Sequence, residues 1–215
     1  MRVFAALVPS DQAVEHLQEF LSVRQELADP ALRWARPYQW HVTLAFAPDV
    51  AEYLVDDISE RLASAAGKRR LPDLAIAGGG AFPDPDRAKV LWAGLAVRAP
   101  SGSGDPQAVD PGGGVPGVGV SGAKESNAGE LSALAAGCRA AFATAGAPVD
   151  GQRFRPHLTV ARLRRPGSVT RWVRLLDAYD GPTWSPDHVT LIRSHLGQGP
   201  RRAPRYEELA HLPVG

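Results

Sequence analysis

The sequence predicts an α+β fold assembled by internal duplication. Three observations carry this. One six-residue pattern occurs twice without a gap, as His41-Val42-Thr43-Leu44-Ala45-Phe46 and as His157-Leu158-Thr159-Val160-Ala161-Arg162. Short apolar strand candidates are interspersed with helix candidates along the chain. The order helix, motif strand, helix and two strands is found once before residue 99 and roughly again after residue 129.

Val3–Val8 reads as a short, continuous apolar strand. Pro9-Ser10-Asp11 then offers turn and helix-cap chemistry, and Val14, Leu17, Leu21 and Leu27 mark the apolar face of a first helix. Residues 40–46 predict the strand of the first motif. A helix from about Asp49 to Ala66 follows, with Leu54, Val55, Ile58 and Leu62 on one face. Residues 71–77 and 88–97 read as two further strands. The Gly78-Gly79-Gly80 and Phe82-Pro83-Asp84-Pro85-Asp86 stretches between them read as turn and loop.

From 99 to 129 the composition turns to Gly, Pro, Ser and Asp, too poor in large apolar groups to offset the entropy of ordering. The expectation is a flexible insertion, and deletion of 101–127 is expected to spare fold and activity. A helix over about 130–145, a strand over 157–163, a helix over 168–178 and strands over about 186–196 and 205–212 complete the pattern. The chain is thus expected to be one domain over 1–215.

Composition narrows the function. The 215 residues carry 24 Lys and Arg against 23 Asp and Glu, a formal net charge of +1. The chain lacks the bulk positive field of a non-specific nucleic-acid binder, so any RNA contact must be local. Arginines concentrate around 153–174 and 193–205. No apolar run approaches the ~20 residues of a membrane-spanning helix, and the amino terminus lacks secretory-signal features. A cytoplasmic protein without membrane partner is expected. The lone Cys138 excludes an intrachain disulfide and a multi-cysteine zinc site, and its Ala-rich surroundings predict a buried, inert thiol.

The chemistry resides in the repeated motif. Along a strand, residues i and i+2 share a face, so each copy presents an imidazole beside a hydroxyl while its aliphatic neighbours enter the core. Two imidazoles suit a phosphodiester reaction in which one group takes a proton and another gives one. Histidine holds either protonation state near neutrality, and positioned proton transfer contributes about 10²–10⁴ in rate. Thr43 and Thr159 can donate hydrogen bonds to phosphate oxygens. No metal or other cofactor is required. A catalytic zinc would want a third ligand, and none stands beside either motif.

The paired His-x-Thr strands resemble the two-histidine (2H) phosphoesterase superfamily. The remainder is similar to its RNA 2′,3′-cyclic phosphodiesterase branch, also called 2′-5′ RNA ligase. The resemblance runs through Arg2-Val3-Phe4-Ala5-Ala6-Leu7, Trp34-Ala35-Arg36-Pro37 and Lys89-Val90-Leu91-Trp92-Ala93-Gly94-Leu95. It continues in Phe154-Arg155-Pro156 before the second motif, Val189-Thr190-Leu191-Ile192-Arg193-Ser194, and Tyr206. The insertion at 99–129 departs from it. The resemblance implies a bilobal fold with pseudo-two-fold symmetry, its two antiparallel sheets facing a central cleft and its helices outside. It implies a monomer that hydrolyses 2′,3′-cyclic phosphate ends of RNA or oligonucleotides to 2′-phosphates, with reversible 2′-5′ joining in some members. His157 would activate water and His41 protonate the leaving 3′ oxygen. It further implies that Phe46 packs on base or ribose and that Arg162 contacts phosphate. Strict alternation opposes those two roles, because an offset of five points away from the catalytic face. A bulge or a strand end would reconcile them.

One His-x-Thr alone would read as a structural histidine; two in matching register read as a site. His16, His188, His195 and His211 are expected in surface or capping roles, with His195 able to border the cleft. The five tryptophans read mainly as core, with Trp34 and Trp40 open to either role. A non-catalytic RNA- or nucleotide-binding module, and a phosphodiesterase for small cyclic nucleotides, stand as the competing functions.

Overall fold

The structure, a computed structural model, describes residues 1–25, 30–98, 121–149, 151 and 153–215. Strand β1 (Arg2–Leu7) leads into helix α1 (Asp11–Gln25), the short strand β2 (Leu32–Trp34) and the motif strand β3 (Val42–Ala47). Helix α2 (Val55–Ala66) precedes the hairpin of β4 (Asp73–Phe82) and β5 (Ala88–Arg98). Helix α3 (Ser121–Thr144), the second motif strand β6 (Leu158–Gly167), helix α4 (Thr170–Asp177) and strands β7 (Asp180–Trp184), β8 (His188–His195) and β9 (Arg205–Pro213) follow. The class is α+β, as expected. No helix among the described residues is long and apolar enough to cross a membrane.

The antiparallel strands run in the order β7-β4-β5-β6-β3-β1-β8-β9, with β2 paired on β6. The two half-sheets expected from the sequence meet at the motif strands, where β3 and β6 pair at Val42 and Leu158. Neither half-sheet is one half of the chain. One combines β1 and β3 with β8 and β9 from the far end; the other is built from β4 to β7. Alternation sorts the side chains of β1. Val3, Ala5 and Leu7 join the main core with Leu17, Leu21, Ile58, Leu62, Leu134, Phe142 and Leu176 from the four helices. Phe4 and Ala6 lie in a separate cluster with Ile192, Phe46 and Tyr206 on the other face. Each fully buried large side chain contributes about 1.5–3 kcal/mol, so the helix-covered face, with the larger cluster, holds the sheet.

Three expectations are corrected. Gly78-Gly79-Gly80 is part of β4, not a turn, and the register with β5 slips there. Gly78 has φ +71°, open to glycine at little cost. A Cβ on Gly79 would stand 2.4 Å from Cβ of Leu176, and one on Gly80 2.1 Å from the Trp92 ring. The glycines let α4 and Trp92 approach the strand. Strand β7, unforeseen because it contains Gly181 and Pro182, sits at the end of the sheet order, where a proline's missing donor is tolerated. Residues 121–129, read as part of the insertion, begin α3. Ala123, Lys124, Glu125 and Ala128 are good helix formers beside the glycines. Residues 99–120, which hold the rest of that stretch, and Leu27 lie outside the described residues. Cys138 is fully buried, and burial pushes its thiol up to about 12.

Candidate active site

The two motifs meet at the seam between the half-sheets. Val42 and Leu158, the paired residues, are fully buried toward the helices. The antiparallel register therefore sets His41 opposite Thr159 and Thr43 opposite His157, all four on the other face. They line one cavity of about 1140 Å³ together with Phe46 and Arg162. Every residue assigned to the site from sequence stands in that cavity.

Phe46 and Arg162 arrive there by matched bulges. In β3, Ala45 pairs with Ala5 but Thr43 with Ala6, leaving Leu44 as an extra residue. In β6, Ala161 pairs with Leu91 but Thr159 with Trp92, leaving Val160 as the extra residue. Each bulge buries two successive residues, Leu44-Ala45 and Val160-Ala161, and reverses the phase of the strand beyond them. The freed carbonyl of Val160 accepts the Ala35 N–H at 2.9 Å. Strict alternation is overruled at the same place in both copies.

The two rings are held alike. Nδ1 of His41 donates to the Gln39 carbonyl and Nδ1 of His157 to the Arg155 carbonyl, each at 2.7 Å. A carbonyl only accepts, so Nδ1 carries the hydrogen and Nε2 of the neutral ring is left as a base. The Gln39 carbonyl is positioned by a 3-10 turn over Pro37–Gln39, and the Gln39 side chain anchors that turn by donating to the Pro204 carbonyl at 2.8 Å. Desolvation pushes His41 down from 6.5 to about 4, against the opposing Gln39 hydrogen bond and with the help of His157 and Arg162. His157 is lowered as well, first by desolvation and then by the charges of Arg162 and Arg155.

Aromatic walls differ between the copies. His41 packs 4.7 Å from Phe4 and edge-on to Tyr206 at 5.5 Å. His157 meets Phe82 at 5.0 Å and Trp92 at 6.0 Å, and Arg155 lies over both of those rings. Of these, Arg155 belongs to the arginines flanking the second motif, for which the sequence suggests contact with an RNA backbone. The four aromatic residues, with Arg2 and Ser194 in the cavity wall, were not assigned to the site from sequence. The signal for Arg2 and Phe4 was alternation in β1; Tyr206 and Phe82 have no local signal, because only strand pairing brings them in. Trp34 and Trp40 both border the cavity, although Trp40 is also core. His195 does not border it; its Nε2 contacts Glu207 at 2.5 Å. His16 bonds Tyr179, His188 pairs with Asp187 and His211 with Glu208.

Two opposed His-x-Thr strands at the centre of an antiparallel sheet, open to one cavity, define a two-histidine phosphoesterase. The LigT like Phosphoesterase family profile matches residues 8–92 and 122–202, and the chain belongs to that family, within the 2H superfamily of enzymes. A relative from Aeropyrum pernix, named RNA 2′,3′-cyclic phosphodiesterase, is 29% identical over 170 residues, 79% of each chain. A Geobacillus stearothermophilus protein of the same name is 24% identical over 86% of this chain, which spans only 48% of that relative. Among solved structures, TT0787 of Thermus thermophilus aligns at TM-score 0.64 and 21% identity, covering 100% of this chain and 98% of the other. E. coli LigT complexed with 3′-AMP aligns at 0.60 and 20%, covering 99% and 97%. These two likenesses establish the fold.

Proposed function

We propose that the protein is an RNA 2′,3′-cyclic phosphodiesterase that opens cyclic phosphate ends to 2′-phosphates without a metal. The observation that carries this reading is the pair of imidazoles, each with Nδ1 committed to a backbone carbonyl, lining one cavity with two threonine hydroxyls and a guanidinium. Binding alone has no use for two opposed titratable groups. In the proposed step water attacks phosphorus and gives its proton to Nε2 of His157. The P–O3′ bond breaks, and O3′ takes the Nε2 proton of His41, which enters this step as the imidazolium, with both ring nitrogens protonated. Thr43, Thr159 and Arg162 hold the non-bridging oxygens as charge redistributes. Phe46 packs against the base or ribose. A 5′-hydroxyl in place of water gives a 2′-5′ linkage through the same bond changes.

His157 is given the water because its ring bond is the more open of the two, whereas that of His41 is partly buried. The test is turnover of a 2′,3′-cyclic-phosphate oligonucleotide in chelator, with a 2′-phosphate as the product. Binding without turnover, or a 3′-phosphate product, refutes the reading. His41→Ala is expected to regain most of its activity on a substrate with a bridging 3′ sulfur, whose thiolate leaves unprotonated; rescue of His157→Ala instead would exchange the two roles.

A further inference from the structure

The cavity floor in the β1 half-sheet is built in rows by strand register. Nearest the histidines, Thr43 pairs with Ala6. Next, Phe46 pairs with Phe4. Beyond that, Arg2 pairs with Ser194, and Ser194 with Tyr206, whose ring reaches back to pack edge-on against Phe4 and His41. Same-face residues on a strand stand roughly 7 Å apart, so this polar row begins one step past the aromatic one.

Arg2, Ser194 and Tyr206 all line the cavity, as do four further arginines and, among the described residues, no aspartate or glutamate. The chain as a whole is nearly neutral, so this concentration of charge is local. The Arg2 guanidinium lies 4.9 Å over the Phe46 ring, and its buried Nε has no hydrogen-bond partner among the described residues. Tyr206 is reached by the charges of both Arg2 and Arg162. Neither the Ser194 nor the Tyr206 hydroxyl hydrogen-bonds another described residue. A fork of N–H donors and two hydroxyls thus line one part of the cavity with no acceptor among the described residues to satisfy them, the complement of a phosphate group.

We infer that Arg2, Ser194 and Tyr206 form a second phosphate site, which holds the phosphate on the 5′ side of the terminal nucleoside. The inference rests on the proposed cyclic phosphodiesterase reading for its direction. A ribose seated on the Phe46 row presents its 2′ and 3′ oxygens to the histidines and its 5′ oxygen, on the opposite edge, to Arg2. The preferred substrate then carries phosphate on both sides of its last nucleoside, as an RNA end or a 5′-phosphorylated nucleoside does and a bare cyclic mononucleotide does not. It also assigns the Arg2 guanidinium as a cover on one face of Phe46, leaving the other face for the substrate.

Calorimetric titration with adenosine 2′-phosphate and adenosine 2′,5′-bisphosphate tests the site without relying on turnover. The bisphosphate is expected to bind about tenfold more tightly, the yield of one charge-assisted contact, and Arg2→Gln is expected to erase that preference. Should Arg2→Gln fail to fold, Ser194→Ala, which removes only a hydroxyl, is expected to reduce the preference severalfold. Equal affinities in the parent protein, or a preference unchanged in the variants, overturn the site. Turnover of a cyclic mononucleotide, its 5′-phosphorylated form and a dinucleotide then separates the sources. Matched gains for the last two assign the 5′-phosphate itself, a gain for the dinucleotide alone assigns the internucleotide linkage, and no gain for either overturns the proposal. Absence of turnover on all three defeats the enzymatic reading while leaving the binding result to stand.

Discussion

The two half-sites share a backbone and differ in what it carries. Both place His and Thr at i and i+2, both fasten Nδ1 to a carbonyl two residues back at 2.7 Å, and both bulge directly after the threonine. At the exit of the bulge one presents Phe46 and the other Arg162. One imidazole is enclosed by Phe4 and Tyr206, the other by Phe82 and Trp92 with Arg155 above them. In the proposed reaction the repeated strand would supply the symmetric proton transfer, and a few side chains would meet the asymmetry of a substrate with phosphate on one side and nucleoside on the other.

The strongest way to break this equivalence is to remove one ring at a time. His41→Ala and His157→Ala are each expected to lower kcat by about 10²–10⁴, and the double variant by little more than the worse single one, because the proposed reaction uses the rings as a unit. Additive losses measured in single-turnover assays would mean that the half-sites work independently. Next in size, Arg162→Gln is expected to reduce kcat by about 10²-fold, through lost charge stabilisation in the transition state. Phe46→Leu is expected to raise KM severalfold with kcat nearly kept. Matching kcat and KM effects for the pair would erase the distinction between a phosphate side and a nucleoside side.

The pH profile sharpens it further. Burial and the Arg162 charge hold both rings below 6.5, so the protonated partner is scarce in the free enzyme at neutrality. A bell-shaped kcat/KM is expected, its alkaline limb falling below pH 6.5. Arg162→Gln removes a charge that opposes protonation of both rings, moving the limbs upward. The same depression acts on stability. The unfolded chain protonates its histidine near 6.5 and folded His41 only near 4, so stability present above 6.5 is lost as pH falls through that interval. His41→Gln is expected to flatten this part of the urea-midpoint curve. Smallest and confined to one half-site, Gly80→Ala would drive a Cβ to 2.1 Å from the Trp92 ring that backs His157. A stability loss of about 1–3 kcal/mol is expected from denaturant titration.

Much of this was legible along the chain because its causes are local. The repeated hexapeptide named four site residues, and 3.6- and 2-residue periodicities located most helices and strands to within a few positions. Gly78-Gly79-Gly80 misled because glycine breaks strands unless another element must come close, and nothing local announces Leu176 or Trp92. Strand β7 was missed for the converse reason: its proline is tolerated at the end of the sheet order, a position that sequence does not mark.

By itself the sequence determined the chemistry on offer, two imidazoles each beside a hydroxyl on an amphipathic strand, because a two-residue repeat dictates a shared face wherever the strand lies. Tertiary structure alone decided that the faces meet at Val42 and Leu158, and that β8 and β9 return to complete the half-sheet begun by β1 and β3. It decided too that Phe46 and Arg162 turn inward, since a bulge exists only relative to a partner strand. Pairing with β1 and β5, far away in the chain, supplies those partners.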